Sequence, residues 1–339
     1  MVIFRHIDMK QWNDLTQKSS TASWFQTPQA YSFYEEVADE LTPFAYAVLS
    51  DEKLELKGVC VGYIVPEVDT HFPSFTNVYR YFTSRAIILG GPMLADDITD
   101  DQLCELLSTL NSQLSTTIYI ETRNFNDYSR WKAVFEKCGF AYQPHYNYIQ
   151  NPVTIASDID RNRRRNIEQS EQNGLLVAEG TASDIKDFYA LLFNLYRHQL
   201  HIPVFSRHFF EQLVNQPDAK LLVAKYKGKI VGGELCVALQ DKVLYDWYGC
   251  GINTLKHVHP SEYITYKTIE WARDNKIERF DFMGAGSPDK TYGVRDFKAR
   301  FGGQLVEYGR FLCVNAASRY KLGKTIVGIL NSKILNKHT

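Results

Sequence analysis

The feature of this sequence that most restricts its fold is an order of predicted elements that occurs twice. In each half, the spacing of apolar residues predicts a hairpin, a strand, a helix, a strand, a helix and a last strand. The first set covers residues 44–152 and the second covers residues 219–314. Strands that alternate with helices are typical of layered proteins and not of helix bundles. The predicted fold class is therefore α/β (α+β), with two related domains.

The length and composition agree with two domains. The chain has 339 residues, which exceeds the size of one typical hydrophobic core. Hydrophobic residues make up 45% of the chain and aromatic residues 14%, so both domains can bury a core. The first set of elements ends near Asn151-Pro152, and we predict a domain boundary there. The predicted domains are residues 1–152 and 153–339.

The charge of the chain restricts its partners. The formal net charge is -1, so no basic field over the whole molecule attracts nucleic acid or a membrane. Stable DNA binding is therefore not expected. Any anionic partner would have to be held by a local cluster of cations.

The cysteines and the N-terminus indicate a cytoplasmic protein. The six cysteines include no C-x-x-C pair and mostly have apolar neighbours, which favours buried thiols in a reducing compartment. The stretch MVIFRHIDMKQW lacks the long apolar core of a signal peptide, and no apolar run approaches the length of a membrane span.

Six stretches in a defined order, spread over nearly the whole chain, carry a family resemblance. They are SWFQTPQAY (23–31), RNRRRNIEQSEQNGL (161–175), SRHFFEQL (206–213), the hairpin to WYGCG (220–251), EWARDNKIERFDFMG (270–284) and FKARFGG (297–303). With them the sequence resembles the FemABX-type peptidyltransferases, which add amino acids to peptidoglycan precursors from aminoacyl-tRNA. That family has two tandem acetyltransferase-like (GNAT-like) domains. The resemblance implies two such domains with mixed central sheets flanked by helices, the second carrying FKARFGG.

The segment before the second hairpin departs from the family pattern. Several family members carry a long helical hairpin there, which is associated with tRNA. Too few residues separate Gly174 from Ala219 for a long helix pair at about 1.5 Å per residue. We therefore expect a member without this arm.

Lys298 is the first candidate catalytic residue. If residues 294–301 are helical, Val294, Phe297 and Phe301 anchor one face, and Lys298 lies on the neighbouring edge. An amine that attacks an acyl ester or thioester generates an oxyanion, and a fixed donor beside it contributes about 10²–10³ in rate. The resemblance implies this role for Lys298. The alternative is a surface cation that favours the C-terminal dipole of the helix.

Asp281 is the second candidate. It ends a predicted strand in RFDFMGAG, before a glycine turn. A carboxylate at such a point can act as a base or orient an amine, and we favour the orienting role. The alternatives are an ion pair with Arg279 or Arg295, or acceptance of turn amides.

The densest basic run comprises Arg161, Arg163, Arg164 and Arg165. Guanidinium groups suit the phosphates of a UDP-linked precursor, a lipid-linked pyrophosphate or a tRNA 3′ end. We predict Arg161 and Arg165 as substrate contacts. The alternative is a solvated helix face on which the arginines pair with the acidic residues that follow, Glu168 and Glu171.

The resemblance implies five further substrate contacts. They are Tyr248, Arg197, His201, Arg295 and Phe297. Alternation along a strand predicts that Trp247 and Tyr248 point to opposite sides of the sheet.

No cofactor-binding residue and no metal site is predicted. Coenzyme A-dependent GNAT enzymes usually carry Q/R-x-x-G-x-G/A after the fourth strand, and Gly249 and Gly251 lack the preceding part of that pattern. His257 and His259 have no matching set of ligands, and two histidines do not make a site. The donor is expected to be a co-substrate, either aminoacyl-tRNA or an acyl thioester.

The predicted function is transfer of an acyl or aminoacyl group to an amine, forming an amide bond on a cell-wall precursor peptide. The first alternative is an N-acyltransferase that uses acyl-coenzyme A or an acyl carrier and acts on a sugar, lipid or polyamine. The second is a non-catalytic module that binds a precursor or a partner protein. The basic and apolar segment 317–338 is a candidate for peripheral contact with the inner membrane, or it packs on its own domain.

Overall fold

The computed structural model describes residues 2–3, 7–50, 54–65, 84–200 and 203–321. Two features predicted from the sequence lie outside these residues. They are His201 and most of the predicted membrane-contacting segment, from residue 322 onwards. Within the described part of the chain, no helix is both long enough and apolar enough to cross a bilayer.

Strands and helices alternate along the chain. The strands of the first half are Val2–Ile3 (β1), Thr42–Leu49 (β2), Leu56–Val65 (β3), Arg85–Gly90 (β4), Met93–Leu94 (β5), Tyr119–Asn124 (β6), Ala141–Gln143 (β7) and Tyr146–Gln150 (β8). Those of the second half are Leu176–Glu179 (β9), Ala219–Tyr226 (β10), Lys229–Leu239 (β11), Val243–Gly251 (β12), Arg279–Gly284 (β13), Gln304–Glu307 (β14) and Arg310–Val314 (β15). The helices are Met9–Lys18 (α1), Pro28–Glu36 (α2), Asp100–Gln113 (α3), Lys132–Lys137 (α4), Ile155–Asp158 (α5), Arg161–Gln172 (α6), Ile185–Asn194 (α7), Arg207–Val214 (α8), Pro260–Asp274 (α9) and Gly293–Ala299 (α10).

The strands form two mixed sheets of matching order. The first runs β1-β2-β3-β4-β6-β15-β7, with β5 paired to β3, and the second runs β14-β8-β13-β12-β11-β10-β9. Each sheet contains one parallel pair, β4 with β6 and β12 with β13, and a helix connects the two strands of each pair. The predicted repeat of elements and the predicted class of mixed sheets flanked by helices are confirmed.

The domain boundaries differ from those predicted. The chain divides into one unit within Met1–Gln143 and Tyr308–Thr339 and a second unit, Pro144–Glu307. Strand β8, assigned to the first domain from its position in the sequence, pairs with β13 and β14 of the second sheet. The prediction of domains 1–152 and 153–339 was therefore wrong in its boundaries, because local periodicity does not reveal a strand's partners.

The last predicted strand, residues 304–314, is two strands in different sheets. Strand β14 ends at Glu307 and pairs with β8, whereas β15 begins at Arg310 and lies between β6 and β7. Gly309 between them has a φ of 67°, which glycine adopts readily. A Cβ atom at Gly309 would lie 2.2 Å from the Tyr142 ring, so the break also needs glycine for space.

Each unit has its own core. In the first unit, α3 buries a stripe of leucines, Leu103, Leu106, Leu107 and Leu110. In the second unit, α9 and the sheet bury a cluster that includes Ile264, Ile269, Phe280, Phe282 and Phe301. Helix α7 continues as a π-helical turn over Leu195–Leu200.

Candidate active site

The second sheet opens between two of its central strands. Strands β12 and β13 pair at three positions and last at Tyr245 with Asp281. The equivalent strands of the first unit, β4 and β6, pair at five positions up to Gly90 with Asn124. An opened parallel pair exposes backbone groups that a ligand or a side chain can use. Among the described residues, the parallel pair of the second unit opens at its end, and the parallel pair of the first unit does not.

A local distortion of β13 forms the opening. Met283 has a φ of 60°, an uncommon value for a residue with a side chain. The Asp281 carboxylate accepts a hydrogen bond of 2.7 Å from the Met283 amide, and the pairing of β13 with β8 shifts register between Asp281 and Gly284. The predicted acceptance of a turn amide by Asp281 is therefore seen for one of its oxygens.

Lys298 extends from α10 to this distorted strand. Its side chain is buried, with 8% of the residue exposed. The ammonium donates hydrogen bonds of 2.6 Å to the Phe282 carbonyl oxygen and 2.7 Å to that of Gly284. An ammonium has three donors, and the third has no hydrogen-bond partner among the described residues. The alternative of a surface cation at the helix end does not describe Lys298.

The residues around Lys298 hold α10 in place. The rings of Phe297 and Phe301 lie 5.3 Å apart, as the predicted apolar face requires. Gly302 follows with a φ of 82°, and a Cβ atom there would lie 2.4 Å from Asp158 Cβ. The glycine of the FKARFGG motif therefore permits close approach of this turn to the segment before α6.

Three carboxyl groups interact with the Lys298 ammonium, two on buried residues and that of Asp246 on a half-buried one. They belong to Glu234 on β11, Asp246 on β12 and Asp281 on β13. Burial raises the pKa of Asp246 to about 6 and that of Asp281 to about 6. Burial, followed by the charge of Asp246, also raises the pKa of Glu234 well above its usual value. Burial lowers the pKa of Lys298, while the three carboxylates oppose that shift.

One oxygen of each carboxyl group lacks a hydrogen-bond partner within the described part of the chain. These atoms are Glu234 Oε2, Asp246 Oδ1 and Asp281 Oδ2. The other Glu234 oxygen accepts a hydrogen bond from the Thr265 hydroxyl. Buried polar atoms without partners are rare and are often found where a protein binds or reacts with a ligand.

Sequence reasoning missed Glu234 and Asp246. The available signal was an acidic residue inside an otherwise apolar strand, in GGELCV and in LYDWYG. Such residues are seldom buried without a partner or a function.

Among the described residues, three side chains of this cluster have potential metal-ligand atoms near one another. Glu234, Cys236 and Asp246 each offer an atom within 4.8 Å of the others. Burial raises the pKa of the Cys236 thiol well above its usual value, and the Lys298 ammonium repels a second cation near Asp246. We therefore assign no metal to these residues.

The two histidines considered as metal ligands contact different side chains. His257 lies within hydrogen-bond distance of the Tyr226 hydroxyl at 3.3 Å, and His259 lies 3.1 Å from Gln169 Oε1.

The predicted opposite orientation of Trp247 and Tyr248 was wrong. Successive partners of Leu235 and Cys236 on β12 are Tyr248 and Asp246, so Trp247 is the extra residue of a β-bulge. Both rings consequently pack against Phe209, at centroid distances of 5.7 and 6.3 Å. Tyr248 is buried in this aromatic cluster, and its contact with substrate remains a prediction.

The basic run on α6 divides into buried and exposed members. Arg163 is buried and lies 2.8 Å from Glu262 on α9. Arg161, Arg164 and Arg165 are exposed. Glu171 instead pairs with Lys267, at 2.7 Å. The ion pairs of the alternative interpretation, between these arginines and Glu168 or Glu171, are not found among the described contacts. Substrate contact by Arg161 and Arg165 remains a prediction.

Two further residues predicted to contact substrate, Arg295 and Arg197, interact with other groups of the protein. Arg295 donates a hydrogen bond of 2.8 Å to the Ala285 carbonyl oxygen and another to that of Ser287, and its guanidinium lies 4.9 Å from the Tyr146 ring. The proposed ion pair of Asp281 with Arg295 is therefore not formed. Arg197 is half-buried, 5.9 Å from the Phe193 ring. Roles for Arg197, Arg295 and Phe297 in binding substrate stay predictions.

Comparison with known proteins identifies the fold. Residues 157–298, which include Glu234, Asp246, Asp281 and Lys298, match the family model described as an acetyltransferase (GNAT) domain. The crystal structure of FemX superposes with a TM-score of 0.68, over 94% of this chain and 99% of that chain, at 14% identity. The chain has a FemX-like GNAT acyltransferase fold.

Two further structures share this GNAT fold. The C-terminal domain (DUF2156) of a putative lysylphosphatidylglycerol synthetase from Agrobacterium fabrum has a TM-score of 0.56 at 11% identity, covering 95% of this chain and 96% of that one. A tandem GNAT protein from the clavulanic acid biosynthesis pathway, solved without AcCoA, has a TM-score of 0.54 at 7% identity, covering 93% and 98%. At these identities the likeness concerns the fold alone, and it confirms the predicted tandem GNAT class. No curated protein matched the sequence.

Proposed function

We propose that the protein is an acyl- or aminoacyltransferase that forms an amide bond on an amine acceptor, and that Lys298 is its oxyanion donor. One observation carries the proposal. The Lys298 ammonium is buried where β12 and β13 separate, and two carbonyl oxygens hold it while its third donor has no partner in the described structure. A preorganised donor of this kind stabilises charge that develops during acyl transfer.

The proposed reaction proceeds through a tetrahedral intermediate. The lone pair of a neutral amine attacks the carbonyl carbon of the donor ester or thioester, and the carbonyl oxygen becomes an oxyanion. Lys298 donates its third hydrogen bond to that oxygen. The carbon–oxygen or carbon–sulfur bond of the donor then breaks, and the proton lost by the nitrogen passes to the departing oxygen or sulfur.

Asp281 is proposed to orient the acceptor amine. Its Oδ2 atom has no partner among the described residues, and its pKa of about 6 leaves it largely ionised at neutral pH. An ionised carboxylate attracts an acceptor that arrives as an ammonium. In that case the carboxylate can take the additional proton before the nitrogen attacks, which balances the protons of the step.

The acceptor is proposed to be a cell-wall precursor, a UDP-linked or lipid-linked muropeptide, and the donor to be aminoacyl-tRNA. The FemX-like fold and the resemblance in sequence motifs support this choice. No cofactor is required in addition to the donor. A cytoplasmic location is part of the proposal, and it is consistent with the six cysteines being free thiols.

A second candidate is an N-acyltransferase that uses acyl-coenzyme A. The match of residues 157–298 to an acetyltransferase domain favours it. Thermal-shift measurements with a panel of thioesters separate the two candidates. Marked stabilisation by coenzyme A at concentrations well above its dissociation constant would favour the thioester donor.

The proposal is tested by substitution of Lys298. The assay follows product by mass spectrometry, with alanyl-tRNA or acetyl-coenzyme A as donor and a UDP-linked muropeptide as acceptor. Lys298→Met should fold normally and lose at least about tenfold in turnover. The matched control is Lys290→Met, an exposed lysine in the preceding loop, which should keep its rate. An unchanged rate in Lys298→Met rejects the assignment, and tight precursor binding without product for either donor supports the non-catalytic alternative.

A further inference from the structure

We infer that Arg163 is a positioning residue that fixes Lys298 at the reaction site, an inference that rests on the proposed function. Arg163 is the buried member of the basic run on α6, with 3% of the residue exposed. It contacts two other helices, α10, which carries Lys298, and α9. A guanidinium buried to this degree must be held by charge and by ring contacts, because its desolvation is costly.

The first set of contacts joins Arg163 to α10. Its guanidinium carbon lies 4.6 Å from the centre of the Phe297 ring and 4.7 Å from that of Phe301. Nη2 also donates a hydrogen bond of 3.4 Å to the Phe297 carbonyl oxygen. These two phenylalanines lie one helical turn apart, so Arg163 packs against the face next to Lys298. The two rings are inclined at 64° to one another, and the broad guanidinium contacts both. A compact ammonium contacts such a pair of rings less well.

The second set of contacts anchors Arg163 to α9. Nη1 lies 2.8 Å from Glu262 Oε1, and the other oxygen of Glu262 accepts a hydrogen bond of 2.9 Å from Asn166 on α6. Glu262 is therefore held from α6 by two residues one turn apart. The ion pair holds the guanidinium beside the Phe297 and Phe301 rings.

Helix α10 depends on such contacts because it is short. It has seven residues, and its N-cap residue Tyr292 makes no side-chain capping hydrogen bond. Isolated helices of this length are unstable, so tertiary contacts determine where α10 lies. Loss of Arg163 should therefore allow α10 to shift. The Lys298 ammonium would then leave the Phe282 and Gly284 carbonyl oxygens.

The first test needs no substrate. Lysine side chains are labelled with acetic anhydride, and the labelling of Lys298 is measured by mass spectrometry relative to that of Lys57, which pairs with Asp97 in the other unit. Arg163→Met should raise this ratio at least about fivefold, because local opening exposes the buried amine. Arg164→Met is the matched control, since Arg164 is exposed on the same helix, and it should leave the ratio unchanged.

Arg163→Lys separates the two sets of contacts. It keeps a positive charge for Glu262 and loses the guanidinium contact with the Phe297 and Phe301 rings. The melting temperature of Arg163→Lys should lie closer to that of wild type than to that of Arg163→Met. The labelling of Lys298 relative to Lys57 should nevertheless stay raised in Arg163→Lys. A fall in melting temperature with an unchanged ratio of Lys298 to Lys57 labelling in Arg163→Met overturns the inference.

The second test uses turnover of the proposed reaction in a double-mutant cycle. Arg163→Met should lower kcat at least about fivefold with little change in KM, because a misplaced donor affects the transition state more than binding. In the Lys298→Met background the same change should lower kcat less than about twofold. Equal effects in both backgrounds overturn the inference. If Lys298→Met itself keeps full turnover, the proposed function fails, and the labelling result still decides whether Arg163 positions Lys298.

Discussion

The Asp281 carboxylate and the Met283 backbone amide are joined by a hydrogen bond of 2.7 Å. This contact supports Met283 in a left-handed conformation with a φ of 60°. The resulting bulge directs the carbonyl oxygens of Phe282 and Gly284 towards the Lys298 ammonium. Asp281 thus has two roles, a structural one through Oδ1 and a proposed catalytic one through Oδ2.

The two roles of Asp281 can be separated by substitution. Asp281→Asn keeps an oxygen for the Met283 amide, so its free energy of unfolding should stay within about 1 kcal/mol of wild type at neutral pH, whereas its turnover should fall. Asp281→Ala leaves a buried amide without a partner and should lose about 1–3 kcal/mol. Urea denaturation measures both values. Equal stability of the two variants would contradict the structural role.

The buried carboxyl groups predict an unusual dependence of stability on pH. The pKa values of Asp246 and Asp281 are raised to about 6, so folding favours their protonated forms. Their contribution to the free energy of unfolding is complete below pH about 4 and is lost as the pH rises through about 6. Wild type should therefore lose on the order of 1–3 kcal/mol from this source over that interval.

The double variant Asp246→Asn/Asp281→Asn tests this dependence. Amides do not titrate, so the difference in free energy of unfolding between pH about 4 and pH about 7 should shift in favour of the higher pH relative to wild type. Urea denaturation at the two pH values provides the measurement. An identical pH dependence in wild type and the double variant would show that these carboxyl groups titrate normally.

In the first unit, Glu121 should have the opposite pH dependence. It lies 2.8 Å from Arg123 Nε and 2.9 Å from Arg310 Nη1, and these arginines overcome burial and lower its pKa to about 2. Its stabilising contribution is present above pH about 4.5 and is lost as the pH falls through about 2. Glu121→Gln should cost about 2–3 kcal/mol at neutral pH, because it leaves two partly buried cations without their carboxylate.

The control for Glu121→Gln is Glu136→Gln, a change at an exposed position on α4. It should alter the free energy of unfolding by less than about 0.5 kcal/mol. Since Arg310 begins β15, loss of Glu121 should also increase hydrogen exchange in that strand. Unchanged exchange there would show that β15 does not depend on this ion pair.

Gly302 offers a test of the contact between the end of the FKARFGG motif and the segment before α6. Gly302→Ala places a methyl group 2.4 Å from Asp158 Cβ in addition to the cost of a positive φ. Gly174→Ala has the same conformational cost, with a φ of 80°, but no atom lies within 4 Å of its Cβ. Gly174→Ala should cost about 1 kcal/mol and Gly302→Ala about 2–4 kcal/mol. Equal losses would mean that this contact is not tight.

Much of the fold could be predicted from local pattern. The order of elements predicted twice along the chain is the order found in the two sheets and the helices between their strands. Lys298 and Asp281 were both predicted as site residues, Lys298 through the resemblance and Asp281 from its position at a strand end, and their catalytic roles remain predictions. The structure places their charged groups near one another.

Other features could not be predicted from the sequence. The four arginines within residues 161–165 look equivalent along the chain, and only the packing of α6 against α9 and α10 selects Arg163 for burial. In the sequence Trp247 resembles an ordinary strand residue, and only the register with β11 makes it the extra residue of a bulge. Glu234 and Asp246 join the site because β11 and β12 are neighbours in the sheet.

The sequence by itself determined the order and type of the elements, because helix and strand periodicity and glycine stops act over a few residues. Tertiary structure decided which sheet β8 and β15 join and which charged groups surround Lys298. The physical reason is that strand pairing and burial of charge depend on partners that are distant in the chain. The free energy of each pairing or burial is therefore set only when the sheet and helices are assembled.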